Sequence, residues 1–304
     1  MKTNINILSI DSGGVRNLIS AYVLNRIEEA IQIMHNDPQV KIASIFDTFI
    51  SVGSSTLLSS LYQISDVNGM YKSAHEVSGQ YEKLAAKIYN RKFSSYMRLT
   101  NTLCSQHRLN KCIHQLFFSK DEDINSKKNF VPLFNLSIGE IEIINTFFHD
   151  DTIQEIVKAS MSTYPFLYPT KLNETLYCSG EHISANPKFC LGDSKFKKVL
   201  SSYDVVNILS IGAGSSTKHS KANSIDRIVK DCATQFVEDN FLPDQMINYF
   251  RIDVPTKNFN IINPLYNNSY INFSKKNIAA MQTAGQLAMG AIDKKELEKF
   301  IAFL

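Results

Sequence analysis

The sequence predicts an α/β protein: a mostly parallel central sheet sandwiched by helices, with a helical insertion at about residues 66–130. Three observations carry this reading. The run "INILSI" at 5–10 is apolar and β-branched, and it ends in the turn Asp11-Ser12-Gly13-Gly14. The next stretch is apolar at helical spacing. A second apolar run, "IFDTFISV", then passes through a hinge of small residues into a second helical stretch. Strand, glycine turn, helix, strand, sharp turn, helix is the order of a parallel sheet with crossover helices.

Taken in order, "INILSI" is a buried strand. "NLISAYVLNRIEEAIQIM" is a helix whose Leu18, Ala21, Leu24, Ile27, Ile31 and Met34 share a face. "IFDTFISV" is a strand and "STLLSSLYQI" a helix. Residues 66–130 are polar, tyrosine-rich and helical in period, with no convincing strand. "TIQEIVKASMST" is a helix, "TLYCSG" a short strand, and "VVNILSIGAGSS" a buried strand ending in a glycine turn. "YFRIDVP" and one C-terminal helix over 274–304 close the chain. With no internal repeat and no low-complexity linker, residues 1–304 read as a single domain.

Composition narrows the function classes. A net charge of +3, with the lysines scattered in short groups, gives no nucleic-acid face. Five irregularly spaced cysteines point to reduced thiols in a cytosol-like compartment. "MKTNINILSID" lacks the apolar core and cleavage site of a signal peptide, and no stretch reaches the ~20 apolar residues of a membrane helix. A cytoplasmic or peripheral-membrane protein is expected, with export by another route left open.

Two motifs fail on their spacing. "DSGGVRN" lacks the G-x-G-x-x-G of a dinucleotide turn and the acidic residue ~20 positions on. "CSQHRLNKCIH" holds Cys104, His107, Cys112 and His114, but in no standard zinc spacing, and reads as an amphipathic helix. No metal and no cofactor is expected.

Gly53-Ser54-Ser55-Thr56-Leu57 is a G-x-S-x-G nucleophile elbow without its last glycine. Around it, in order, stand "IDSGGVRN", "ASMSTYPFLYP", "SGEHISANP" and "LSIGAGSS". This order resembles the patatin-like phospholipase family along nearly the whole chain. The corresponding family stretches read D-G-G-G-x-R-G, G-T-S-T-G, A-S-x-A-x-P-x-x-F-x-P, D-G-G/A before N-N-P, and L-S-L-G-T-G. The resemblance implies the patatin fold and a Ser–Asp dyad acting on lipid esters. It puts Ser55 at the nucleophile position, with Gly13, Gly14 and Thr56 as oxyanion-hole donors facing it. Asp11 and Arg16 become supporting residues, and Tyr164–Pro169 the lining of an apolar cleft beside Ser55.

The pattern also breaks. Eight residues before Pro187, where the family has its catalytic aspartate, stands Ser179. A hydroxyl cannot serve as the general base near neutral pH, and misorienting the base costs ~10⁴ in kcat in a Ser-His-Asp triad. Leu57 replaces a glycine of the elbow, and Ser12 and Asn17 replace glycines of the oxyanion loop. The dyad therefore reads as degenerate. The expected function is binding of a lipid acyl chain, a membrane surface or a protein partner, with hydrolysis weak or absent. The alternative is an active phospholipase A or lysophospholipase using Ser55 with a displaced base, Glu181 or His182.

Overall fold

Alternate residues of the first strand pack into two separate cores, which is why its sequence is a continuous apolar run rather than an alternating one. Leu8 and Ile10 belong to one core, and Ile5 and Ile7 to the other. This computed structural model describes residues 3–66, 68–89, 102–117, 122–124, 128–146, 152–214, 246–254 and 275–304.

In chain order the strands are β1 (Asn4–Ile10), β2 (Thr48–Ser51), β3 (Ile64–Asp66), β4 (Glu122–Ile124), β5 (Lys128–Asn135), β6 (Glu140–Asn145), β7 (Thr170–Leu172), β8 (Thr175–Ser179), β9 (Val205–Ile211) and β10 (Met246–Ile252). The helices are α1 (Asn17–His35), α2 (Ile42–Ile45), α3 (Ser55–Gln63), α4 (Ala74–Ile88), α5 (Gln106–Phe117), α6 (Ile153–Met161), α7 (Ser194–Leu200), α8 (Lys275–Ala291) and α9 (Lys294–Ile301).

The main sheet runs β10-β9-β1-β2-β5-β8-β7, with β6 on the other side of β5. The pairs β10–β9, β9–β1, β1–β2 and β2–β5 are parallel, while β6, β8 and β7 join antiparallel. This is the expected α/β architecture. The larger core lies between the sheet and α1, α3, α4, α5 and α8. The second core packs the other face against α7 and the turn Pro187–Gly192, with Phe130 meeting Phe196 edge-on at 4.6 Å.

Three expectations are corrected. Residues 66–130 hold α4 and α5, but also β4, which pairs with β3, and the first residues of β5. The β5–β6 hairpin is a second strand pair that the sequence reading did not contain; Pro132 inside β5 hides it, because proline cannot donate to a ladder. The C-terminal helix is two helices, broken where Asp293 caps α9 by accepting the Lys295 N–H at 2.8 Å. Residues 215–216, the end of the predicted glycine turn after β9, lie outside the described residues.

Candidate active site

The carboxyl ends of the parallel strands converge on one edge of the sheet, the usual place for a site in an open α/β fold. β1 delivers the loop Asp11–Gly14, and β2 delivers the elbow at 52–54 leading into α3. The turn after β8 adds Gly180–His182 and the loop after β9 adds Gly212–Gly214. The loops are stitched together by main-chain bonds: Asp11 N–H to the Ile211 carbonyl (3.0 Å) and Ser12 N–H to that of Ala185 (2.8 Å).

Ser55 is the first residue of α3 and fully buried. Its hydroxyl proton lies between the carbonyls of Ile10 (2.8 Å) and Val52 (2.9 Å), and its oxygen accepts the Val52 N–H at 3.0 Å. The hydroxyl therefore cements the start of the helix to the ends of β1 and β2.

The expected facing of Gly13 and Gly14 onto Ser55 is corrected by one residue. Their N–H groups point to the Ser54 hydroxyl, at 3.3 and 2.6 Å. Ser54 in turn donates to Asn17 Oδ1 at 2.6 Å, and Asn17 Nδ2 donates to the Asp11 carbonyl at 2.7 Å. The Thr56 N–H goes to the Gly53 carbonyl (3.2 Å) and its hydroxyl pairs with that of Ser160 (2.8 Å). All three expected oxyanion donors are thus engaged by the protein's own atoms.

Ser179 was expected beside the Ser55 hydroxyl. It is buried at the end of β8, where its hydroxyl accepts the Glu181 N–H at 3.2 Å and starts the Gly180–His182 turn. Among the described residues no hydrogen bond joins it to Ser55. Gly180 follows because a Cβ there would lie 2.5 Å from the Pro132 carbonyl oxygen of β5. The two alternative bases separate: His182 is exposed, whereas the Glu181 carboxylate accepts a hydrogen bond from the Ser12 hydroxyl.

Asp11 is paired with Arg251 of β10, a residue that sequence reasoning missed. Both Arg251 amino groups reach the Asp11 carboxylate (2.9 and 2.5 Å), and one also reaches Asp253 at 2.6 Å. Burial lowers the Arg251 pKa, but the two carboxylates outweigh it and hold the group firmly cationic. Arg16 donates to the Gly214 carbonyl at 2.9 Å, tying the loops after β1 and β9. Tyr81 of α4 braces the same loop through the Gly14 carbonyl (2.8 Å), and burial pushes its phenol pKa up.

The Tyr164–Pro169 segment divides between core and surface. Leu167 is fully buried and Phe166 packs against the core, while Tyr164 and Tyr168 are exposed. A concave space of about 430 Å³ lies elsewhere, lined by Lys87, Arg108, Lys111, Cys112 and Gln115 of α4 and α5. Cys104 and Cys112 are buried and His107 and His114 exposed, and among the described residues no three ligand-type side chains converge on a metal position.

No profile of a known protein family matches the chain. It is 24% identical over 177 residues to Patatin-like protein 2 of Arabidopsis thaliana, a match covering 54% of this chain and 43% of the relative. It is 29% identical over 87 residues to Patatin-17 of Solanum cardiophyllum, covering 28% and 22%. The matched stretches thus span less than half the length of these relatives. Among solved structures, VipD from Legionella pneumophila superposes with a TM-score of 0.42 at 8% identity, over 98% of this chain and 67% of that one. By sequence, these stretches of the chain are similar to patatin-like proteins.

Proposed function

We propose that this protein is a patatin-like lipid acyl hydrolase in ancestry, with weak or absent hydrolysis, acting by binding a lipid or a protein partner. The observation that carries this reading is the Ser55 hydroxyl. It is fully buried, and its proton is held by the carbonyls of Ile10 and Val52 rather than by a base. A serine without a base is a weak nucleophile.

The test is turnover of p-nitrophenyl esters and phosphatidylcholine, with fluorophosphonate labelling alongside. The expected result is slow, non-saturating labelling and a turnover that Ser55→Ala changes by less than about twofold. Robust wild-type turnover abolished by Ser55→Ala would overturn the reading.

A further inference from the structure

We infer that the elbow's reactive position in this chain is Gly53, and that Ser12 and Glu181 close over the place where a nucleophile's side chain would stand. This deepens the proposed function and rests on it: Ser55 has no base beside it, and the position that has one lacks the nucleophile itself.

The argument starts from backbone geometry. A nucleophile elbow is a strained strand-to-helix turn that lifts one side chain out at its apex. Between the end of β2 at Ser51 and the start of α3 at Ser55, Gly53 has φ +63°, in the left-handed region. Ser54, by contrast, is right-handed helical at φ −66°, ψ −21°. The apex is therefore Gly53.

Side-chain direction gives the second argument. A Cβ built on Gly53 would run into the Ser12 hydroxyl and the Glu181 carboxylate, whose Cδ would lie 2.9 Å away. A nucleophile at this position would thus emerge directly against a carboxylate. Ser55 faces inward, to the main chain of β1 and β2.

The third argument removes an anomaly. If Ser55 is the nucleophile, Leu57 sits where the elbow requires glycine. Shifted by two residues, the elbow is Ser51-Val52-Gly53-Ser54-Ser55. Its flanks are then both small, and Leu57 becomes a fully buried core residue of α3. Ser55, at the fifth position, packs within hydrogen-bond distance of β1, where a small residue is needed.

The test restores the missing side chain. Gly53→Ser combined with Ser12→Gly, which clears one of the two contacts, is treated with a fluorophosphonate, and the adduct is mapped by mass spectrometry. The expected result is labelling at least tenfold faster than wild type, with the adduct at position 53. Adding Glu181→Gln should return the rate to that of wild type, because the carboxylate is the base available there. A variant with native circular dichroism and no gain in labelling would overturn the inference. So would a wild-type adduct at Ser12, Ser54 or Ser55.

If the double variant does not fold, Ser55→Cys decides. A thiol at position 55 that iodoacetamide leaves unmodified in the native protein supports the inference, and one modified within minutes overturns it. The two readings fail separately. Efficient wild-type lipid hydrolysis defeats the proposed function, whereas an inert wild type with a silent, folded double variant defeats only the assignment of Gly53.

Discussion

Glu28 is a carboxylate buried in α1, 3% exposed, that accepts the Ile42 N–H (2.9 Å) and the Ala74 N–H (2.8 Å). It thereby satisfies the first turns of α2 and α4 at once, N–H groups that no helix can satisfy internally. Glu28→Ala would strand two buried donors, at ~1–3 kcal/mol each, and should cost roughly 2–4 kcal/mol in urea unfolding. Burial raises the Glu28 pKa above its ordinary value, and the two N–H bonds only partly offset this. A raised carboxyl pKa means the folded state holds the proton longer. Stability is therefore lost as pH rises from the ordinary carboxylate range through the raised value. Unfolding free energies of wild type and Glu28→Gln, measured from pH 4 to 8, should show wild type losing ground to the variant across that window. The Asp11–Arg251 pair carries a second prediction at this scale. Both side chains are 12% exposed and meet in a two-pronged geometry. Arg251→Met removes this two-pronged contact with Asp11 at the edge of the core, and should cost about 3 kcal/mol in the same assay.

Several helices here begin at side chains that satisfy free N–H groups. Ser73 and Glu76 form a reciprocal capping box at α4, and Thr152 and Glu155 another at α6. α6 carries Ser160, whose hydroxyl contacts Thr56 at 2.8 Å and the Gly53 carbonyl at 3.3 Å, so the cap sets the register of a helix that underpins the elbow. Thr152→Ala should lower stability by about 1 kcal/mol, read as an earlier urea midpoint at unchanged m-value. Among the described strands β5 pairs with the most neighbours: β2 parallel over 128–130, then β6 and β8 antiparallel on its two sides. It turns a parallel sheet into a mixed one, and Pro132 lies where that change occurs.

Across the molecule, Asn6, Asn207 and Asn248 sit in register on β1, β9 and β10. Each amide joins the next at 2.8 Å. The ladder also holds residues 303 and 304: Asn6 Nδ2 donates to the Leu304 carbonyl (3.1 Å) and Asn207 Nδ2 to that of Phe303 (2.8 Å). Charge-free amides suit this row, buried at Asn6 and Asn207, because each supplies donors and an acceptor together. Asn207→Leu breaks the row at its centre and leaves neighbouring amides unsatisfied. The variant should lose about 2–3 kcal/mol, and limited proteolysis should cut first near residues 301–304. Cleavage unchanged from wild type would show that the ladder does not anchor residues 301–304.

Local order determined what the sequence by itself could reveal. Apolar periodicity and the glycine turns give β1, α1, α3, α6, β8 and β9, because burial on one or both faces writes a repeating pattern into neighbouring residues. The motif order also picked out loops that the fold gathers at one edge: Asp11–Gly14, the elbow, and the Ser179–Glu181 turn. Four things were decided only by tertiary structure, each because partners distant in sequence settle it. The β5–β6 hairpin needed β2 and β8 to fix a strand containing proline. Arg251 found Asp11 across 240 residues. The Gly13 and Gly14 amides chose Ser54 over Ser55 because Asn17 holds the Ser54 hydroxyl in place. The apex of the elbow depends on the sign of one φ angle, and a string of small residues such as Gly53-Ser54-Ser55-Thr56 fits more than one register equally well.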